Sequence, residues 1–274
     1  MIYEKAFAKI NLALEVGDKD SDGYHPVQNL MIPISLYDEL FFQKAIQDSI
    51  ECQMDIEDNI CLKAVKLFKE KFKIQDGVSI TLSKNIPIMA GLAGGSSDAA
   101  ATLRGLNRLF ETKATYEELY EIACQLGSDV PFFLKVQSAI CTGHGDVIEP
   151  LDTDFGGIPL LIVKPGFGLS TREIYEHYQY DGISKTSIIQ KLISAVEEKN
   201  FELMDEYIFN DLQTVALNMS SELAEIFHKI EGLSYVPHIS GSGPSIYILN
   251  AKTVDLENIK NLDPSLELYL CHSI

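Results

Sequence analysis

Pro87-Ile88-Met89-Ala90-Gly91-Leu92-Ala93-Gly94-Gly95-Ser96-Ser97-Asp98-Ala99-Ala100 is the stretch on which the reading of this chain turns. Gly91, Gly94 and Gly95 allow positive φ and leave no Cβ between the backbone and an approaching anion. Ser96 and Ser97 add hydroxyls where a helix begins, and a helix start brings free N–H groups and partial positive charge. Together these features form a cradle for a polyphosphate. The helix is indicated by Ala99, Leu103, Leu106 and Phe110, which recur at i, i+4, i+7 and i+11 as one apolar stripe. Glycine content alone would also serve a tight strand-to-helix turn. A turn gives no reason for glycines, serines and a helix start to coincide.

The familiar phosphate loops are absent. No Gly-x-x-x-x-Gly-Lys-Ser/Thr occurs, and no Gly-x-Gly-x-x-Gly is followed by an acid about 20 positions on. Composition narrows the partners. The 274 residues are 46% hydrophobic and 23% charged, ordinary for a globular protein. A chain of this length buries roughly three quarters of its unfolded surface and is expected to form two domains. The net charge of −18, from 22 basic and 40 acidic side chains, argues against nucleic acid or an anionic membrane as partner. It also repels a polyphosphate at long range, so such a ligand must be held by local donors and a metal ion. Lysines near the glycine loop gain weight accordingly.

Five cysteines form no Cys-x-x-Cys pair, which suits a reduced cytoplasmic protein with thiols as small core residues. No His-x-x-x-His occurs, and Cys271-His272 alone is a weak signal, so no structural metal is expected. The longest apolar runs, such as Leu160-Leu161-Ile162-Val163, are strand-sized, and no segment reads as a membrane span or export signal.

Outward from the glycine loop, Phe7 to Val16 alternates as a half-buried strand. It has Ile10, Leu12, Leu14 and Val16 on one face and Lys9, Asn11, Ala13 and Glu15 on the other. Lys9 and Asn11 thus project from one side, a pattern equally suited to a solvent-facing edge. Asp18 to Gly23 is turn-rich and leads to Tyr24-His25. Strands are expected at Leu30–Ile34, Glu39–Gln43 and Val78–Ser83, the last running through Lys84 into the glycine loop. Helices are expected at Cys61–Phe72 and from the capping box Thr115-x-x-Glu118 to Gly127. Asp129 two residues before Pro131 reads as a helix start that would keep the carboxylate ionised. Pro150 to Pro159 reads as a linker. Beyond it the pattern is α+β: strands near Leu160–Lys164, Tyr235–Ile239, Ser245–Leu249 and Leu266–Cys271, with helices near Thr186–Lys199, Phe201–Ile208, Ser220–Gly232 and Val254–Leu262.

The glycine loop resembles the Pro-x-x-x-Gly-Leu-Gly-Gly-Gly-Ser-Ser motif of the GHMP kinases, with Ala93 where a glycine is usual. If that position needs positive φ, alanine costs about 1 kcal/mol. The resemblance extends over nearly the whole chain. Ala8-Lys9-Ile10-Asn11-Leu12, Asp22-Gly23-Tyr24-His25, Glu57-Asp58-Asn59-Ile60, the loop itself, Gly127-Ser128-Asp129-Val130-Pro131-Phe132-Phe133 and Ser240-Gly241-Ser242-Gly243 occur in the family's order. Each string is weak alone. Their succession is specific, and the first two point to a branch whose alcohol substrate carries a cytidine diphosphate.

The resemblance implies a two-domain α+β GHMP kinase fold. Residues 1–152 would form an ATP-binding domain like domain 2 of ribosomal protein S5, and residues 153–274 a ferredoxin-like, substrate-binding domain. It implies an ATP-dependent transfer to an alcohol in isoprenoid precursor synthesis, with Mg²⁺ carried largely by the phosphates. Asp129 would be the general base and Lys9 its paired, charge-stabilising lysine. Asn59 and Lys84 would lie on the adenine side, and Pro87, Gly91, Leu92, Ala93, Gly94, Gly95, Ser96 and Ser97 around the triphosphate. Tyr24 and Tyr175 would sandwich the cytosine and His25 would read its edge. Asn11 and Thr171 would bond the substrate hydroxyls, and Gly241 would close over the substrate. Taken singly, each tyrosine is equally suited to core packing, and the second glycine loop to a strand-joining turn. Other readings are a GHMP kinase for homoserine or a mevalonate derivative, and a nucleotide-binding sensor without turnover. Neither small alcohol has a base for Tyr24 and His25, and a sensor needs no Asp129. A monomer or homodimer is compatible with the sequence.

Overall fold

The computed structural model describes residues 1–54 and 58–274, so Glu57 of the third string lies outside the described residues. The chain opens with β1 (Ile2–Val16) and β2 (Val27–Ala45), a long antiparallel pair. The two strands expected at Leu30–Ile34 and Glu39–Gln43 are both parts of β2. Ser35–Asp38 contains no glycine or proline to break the strand. Pro33, which cannot donate to a ladder, sits opposite Lys9 where the register shifts.

After β2 come β3 (Ser49–Cys52), α1 (Ile60–Phe72), β4 (Gly77–Ser83), α2 (Gly94–Leu109) and α3 (Tyr116–Leu126). A 3₁₀ turn at Pro131–Leu134, β5 (Ala139–Thr142) and β6 (Val147–Pro150) follow. Both halves of the Thr115–Glu118 capping box are formed at the start of α3. The short parallel strand β3 was not legible in the pattern. The helix expected at Asp129 is only that 3₁₀ turn, and no side chain caps it.

Further along are β7 (Pro159–Lys164), α4 (Thr171–His177), α5 (Thr186–Glu197), α6 (Phe201–Tyr207) and β8 (Phe209–Asn210). The chain then forms α7 (Gln213–Met219), α8 (Ser221–Gly232), β9 (Pro237–Ile239), β10 (Ile246–Leu249), α9 (Leu256–Lys260) and β11 (Glu267–His272). One sheet runs β3-β4-β2-β1-β8, with β5 on β2 and β6 on β5. The other is the antiparallel order β11-β7-β10-β9, the split arrangement of a ferredoxin-like layer.

The first sheet is covered on both faces. Phe42, Leu40 and Met31 pack beneath α1, α2 and α3 with Phe68, Leu103 and Phe132. Ile10, Leu12 and Ile32 pack on the other side with Leu160, Ile162, Ile189 and Tyr247 of the second half. β1 is therefore not half-buried as its alternation suggested: Lys9, Asn11 and Ala13 are as buried as Ile10 and Leu12. The polar face of β1 is the floor of a cleft between the two sheets.

All five cysteines are free, with Cys61 and Cys141 buried; Cys124 is exposed rather than packed in the core. Among the described residues no helix is long and apolar enough to cross a membrane.

Candidate active site

A cavity of about 460 Å³ lies over that floor. The glycine stretch forms one wall. The ladder of α2 begins with Ser97 N–H donating to the Ala93 carbonyl at 3.0 Å, so the amides of Gly94, Gly95 and Ser96 stand ahead of it. They meet the cavity at the positive end of a 16-residue helix. Gly91 has φ +73°, and a Cβ there would fall 2.3 Å from the Ser240 carbonyl oxygen. Only glycine fits.

The loop is pinned from two sides. Lys9 N–H donates to Leu92 O at 3.2 Å, Ser240 Oγ donates to Gly91 O at 3.0 Å, and Ser245 N–H donates to Ala90 O at 3.3 Å. The second glycine loop thus joins β9 to β10, as a turn would, and also braces the first.

Ala93 has φ 54° and ψ 32°, the left-handed conformation. The position that is usually glycine in the GHMP motif does require positive φ, and alanine is strained there. Ala93→Gly should raise the unfolding free energy by about 1 kcal/mol, read as an increased denaturation midpoint at unchanged slope. A midpoint equal to or below the wild type would show that the loop does not carry this strain.

Lys84 borders the cavity beside Gly94, and its amine is tied to acids. It turns inward to pair with Asp38 and, at 2.7 Å, with Asp98 of α2. Asp38 is wholly buried, and its other oxygen accepts the N–H groups of Asn85 at 2.5 Å and Ile86 at 2.8 Å. One carboxylate therefore fixes the strand end that leads into the glycine loop. Lys84 ties it to the first turn of α2. Burial pushes the Asp98 carboxyl above its ordinary range, and the neighbouring Lys84 amine pulls against that. Lys84 borders the cavity, as its expected nucleotide-side placement requires, with its charge held by two buried acids. Asn59, expected beside it, borders the cavity and caps α1 by accepting Cys61 N–H at 3.0 Å.

Lys9 and Asp129 both border the cavity. They do not form the expected ion pair, having no N···O contact within 4.0 Å. The Lys9 amine donates instead to Asn11 Oδ1 at 2.6 Å and Gly91 O at 3.0 Å. Asn11, two residues along the same strand face, intercepts it. Asn11 is held in turn by donating to Asn29 Oδ1 at 2.8 Å. Burial pulls the Lys9 amine below its ordinary value, and the charge of Asp129 opposes that. Asp129 lies in the turn before Pro131, with no hydrogen bond to its carboxylate among the described residues. That leaves both oxygens open to a ligand.

Of the substrate-side residues, Asn11, Thr171, Tyr175 and Gly241 border the cavity. Thr171 Oγ1 lies 2.8 Å from Ser242 Oγ, which joins the start of α4 to the second glycine loop. Burial pushes the Tyr175 phenol upward, and the Asp129 charge adds to it. His25 and Tyr24 lie beyond the cavity, with the His25 ring centroid 6.1 Å from that of Tyr175. His25 Nδ1 lies 2.7 Å from the Gly17 carbonyl, which can only accept, so Nδ1 carries the proton. Its Nε2 is buried and has no partner.

Of the loop residues, Pro87, Gly91, Ala93, Gly94, Gly95 and Ser96 border the cavity, whereas Leu92 and Ser97 are buried behind it. The Ser97 hydroxyl has no partner. The sequence reading missed Asp38, Asp98, Asn29, Ser240 and Asn210. Asn210 donates to Ile239 O and Gly241 O at 2.8 and 2.7 Å and so fixes the second glycine loop. Asp98 and Ser240 sit inside motif strings without an assigned role, and no motif carries Asp38, Asn29 or Asn210. Only Asp98, an acid followed by three alanines inside the glycine stretch, could have pointed to a hidden cation.

Comparison with known proteins gives concordant results. The GHMP kinases N terminal domain matches residues 59–136. The chain is 40% identical to the 4-diphosphocytidyl-2-C-methyl-D-erythritol kinase of Bacillus licheniformis over 95% of this chain and 92% of that one. It is 39% identical to the Bacillus subtilis protein of the same name, with the same coverage. A crystal structure of 4-(cytidine 5'-diphospho)-2C-methyl-D-erythritol kinase superposes with a TM-score of 0.83 at 28% identity, over 99% of both chains. Leishmania major mevalonate kinase shares the fold, with a TM-score of 0.72 at 15% identity over 100% of this chain and 96% of that one.

Proposed function

The chain belongs to the 4-diphosphocytidyl-2-C-methyl-D-erythritol kinases of the GHMP family, and from that premise we propose how its cleft works. The enzyme is an ATP-dependent kinase. It transfers the γ-phosphoryl group to the 2-hydroxyl of 4-diphosphocytidyl-2-C-methyl-D-erythritol, a step in isoprenoid precursor synthesis.

Phosphoryl transfer needs alignment, cations for the spreading charge, and a group to take the hydroxyl proton. The amides ahead of α2 hold the triphosphate. Asp129, with both oxygens free, accepts the proton of the attacking hydroxyl. Lys9, held by Asn11 and Gly91, keeps a positive charge beside the transferred group. Among the described residues no cluster of acidic, histidine or cysteine side chains could hold a metal ion unaided. The Ser96 hydroxyl at the cavity and the unpartnered Ser97 hydroxyl behind it are oxygen donors of the kind that suits Mg²⁺ arriving on the phosphates. Mg²⁺ would neutralise charge on the β and γ oxygens.

One observation carries the substrate reading: the buried, unpartnered Nε2 of His25 next to Tyr175. In the neutral ring this nitrogen is an acceptor, the complement of an exocyclic amino group on cytosine. Neither homoserine nor mevalonate brings a base to that place. Coupled ADP release, measured with diphosphocytidyl-methylerythritol, homoserine and mevalonate in parallel, tests it. Turnover is expected with the first alone. Turnover with homoserine or mevalonate and none with the cytidine substrate would overturn the assignment. ATP binding without ADP release from any of them would leave a sensor.

A further inference from the structure

Tyr24 is the most exposed aromatic side chain among the described residues, at 64%. A ring so exposed would ordinarily lose side-chain freedom when a ligand stacks on it, which weakens binding. Here the ring is already held. Asp20 Oδ1 accepts the Tyr24 N–H at 3.1 Å, and Asp20 N–H donates to the Tyr24 carbonyl at 2.8 Å. The other oxygen of the same carboxylate accepts a hydrogen bond from His144 Nε2 at 2.8 Å. The His144 ring lies against the Tyr24 ring, with centroids 5.3 Å apart and planes at 35°. One acid thus fixes both the backbone of Tyr24 and the ring that backs it. The bond from His144 also holds the Asp20 carboxyl below its usual range, which keeps the acceptor ionised.

His144 is itself anchored, on the turn between β5 and β6. Its N–H donates to Asp146 Oδ1 at 3.1 Å, and Val27 N–H donates to the preceding Gly143 carbonyl at 2.8 Å. The turn continues to Gly145, where a Cβ would lie 3.9 Å from Asp129 Oδ1. The support behind the nucleobase platform therefore stands on a short, well-tied turn that packs beside the proposed general base. Beside Tyr24, the His25 ring faces Tyr175 of α4, the helix that also carries Thr171, with ring centroids 6.1 Å apart. The mouth of the cleft has the Tyr24 loop as one wall and α4 as the other.

We propose that His144 is a positioning residue for nucleobase recognition: bonded to Asp20, it backs the Tyr24 ring so that the base of the substrate stacks on a platform already in place. The proposal rests on the cytidine reading of the substrate given above. His144 touches no substrate atom. It acts through Tyr24 alone.

The test is a double-mutant cycle on the full chain, with KM for diphosphocytidyl-methylerythritol, KM for ATP and kcat measured for His144→Ala, Tyr24→Ala and the double variant. His144→Ala should raise KM for the cytidine substrate about three- to tenfold and leave KM for ATP and kcat within twofold. Tyr24→Ala should raise the same KM about 5- to 150-fold, the scale of base–aromatic stacking. The double variant should match Tyr24→Ala, because a backing residue has no effect once the ring is gone. Multiplied effects in the double variant would overturn the proposal, as would a His144→Ala change spread equally over both KM values and kcat. An unchanged KM in His144→Ala beside a raised one in Tyr24→Ala would overturn it while leaving the cytidine reading intact. An unchanged cytidine KM in both single variants would remove the cytidine reading itself.

Discussion

Asp129→Asn is expected to lower kcat by about 10²- to 10⁴-fold, the usual cost of removing a general base. The amide has nearly the same shape and cannot accept the hydroxyl proton. The proposed triphosphate cradle at residues 94–96 does not involve Asp129, so KM for ATP should stay within about twofold. Asp129 takes part in no hydrogen bond among the described residues, so the substitution strands no donor and folding should be unaffected. Steady-state ADP release with a parallel thermal melt separates chemistry from stability. A variant keeping more than about a third of wild-type turnover would show that another group takes the proton.

Lys84→Ala should be the most damaging substitution for stability. The lysine side chain is 2% exposed and is paired with two acids, at 0% and 4%. Removing it leaves two carboxylates facing each other out of water, and breaking a buried pair in this way costs about 3–5 kcal/mol. For a chain of this size that corresponds to a fall of about 6–20 °C in Tm. The start of α2 should loosen as well, and KM for ATP should rise, because Asp98 loses its tie to the strand end held by Asp38. Arginine is no rescue, since its planar fork needs more room than the amine occupies. A loss below about 1 kcal/mol would mean that the acids simply take up protons, and that the triad does not brace the loop.

Features set by neighbours in sequence were legible, and features set by distant chain segments were not. The cradle, the stripe of α2 and the capping box at Thr115 are local, and each is present. The strain at Ala93 could be foreseen because a single φ decides it. Asp38 is different: it lies in mid-strand with polar and apolar neighbours alike, and its partners are 46 residues or more away along the chain. The burial of Lys9 and Asn11 depends on the second half of the chain closing over β1, which alternation within ten residues cannot report. The helices α4 and α7 span seven residues each, too few to establish a helical period. Asp129 before Pro131 has the look of a cap, yet the chain turns to run into β5 after a single 3₁₀ turn. The carboxylate is left open for chemistry instead.

The bracing of Gly91 by Ser240 and of Ala90 by Ser245 has a consequence for the order in which the protein matures on the ribosome. About 150 residues separate the two ends of that contact, so at roughly 5–20 residues per second the first glycine loop waits about 8–30 s for its support. Over that interval the nascent chain can assemble the strands and helices around α2, but it holds an unfinished nucleotide pocket with the polar face of β1 uncovered. A truncated product released before residue 245 would retain the signature motif and lack a properly set cradle. Nucleotide affinity is thus a late checkpoint, reached only when nearly the whole polypeptide has emerged.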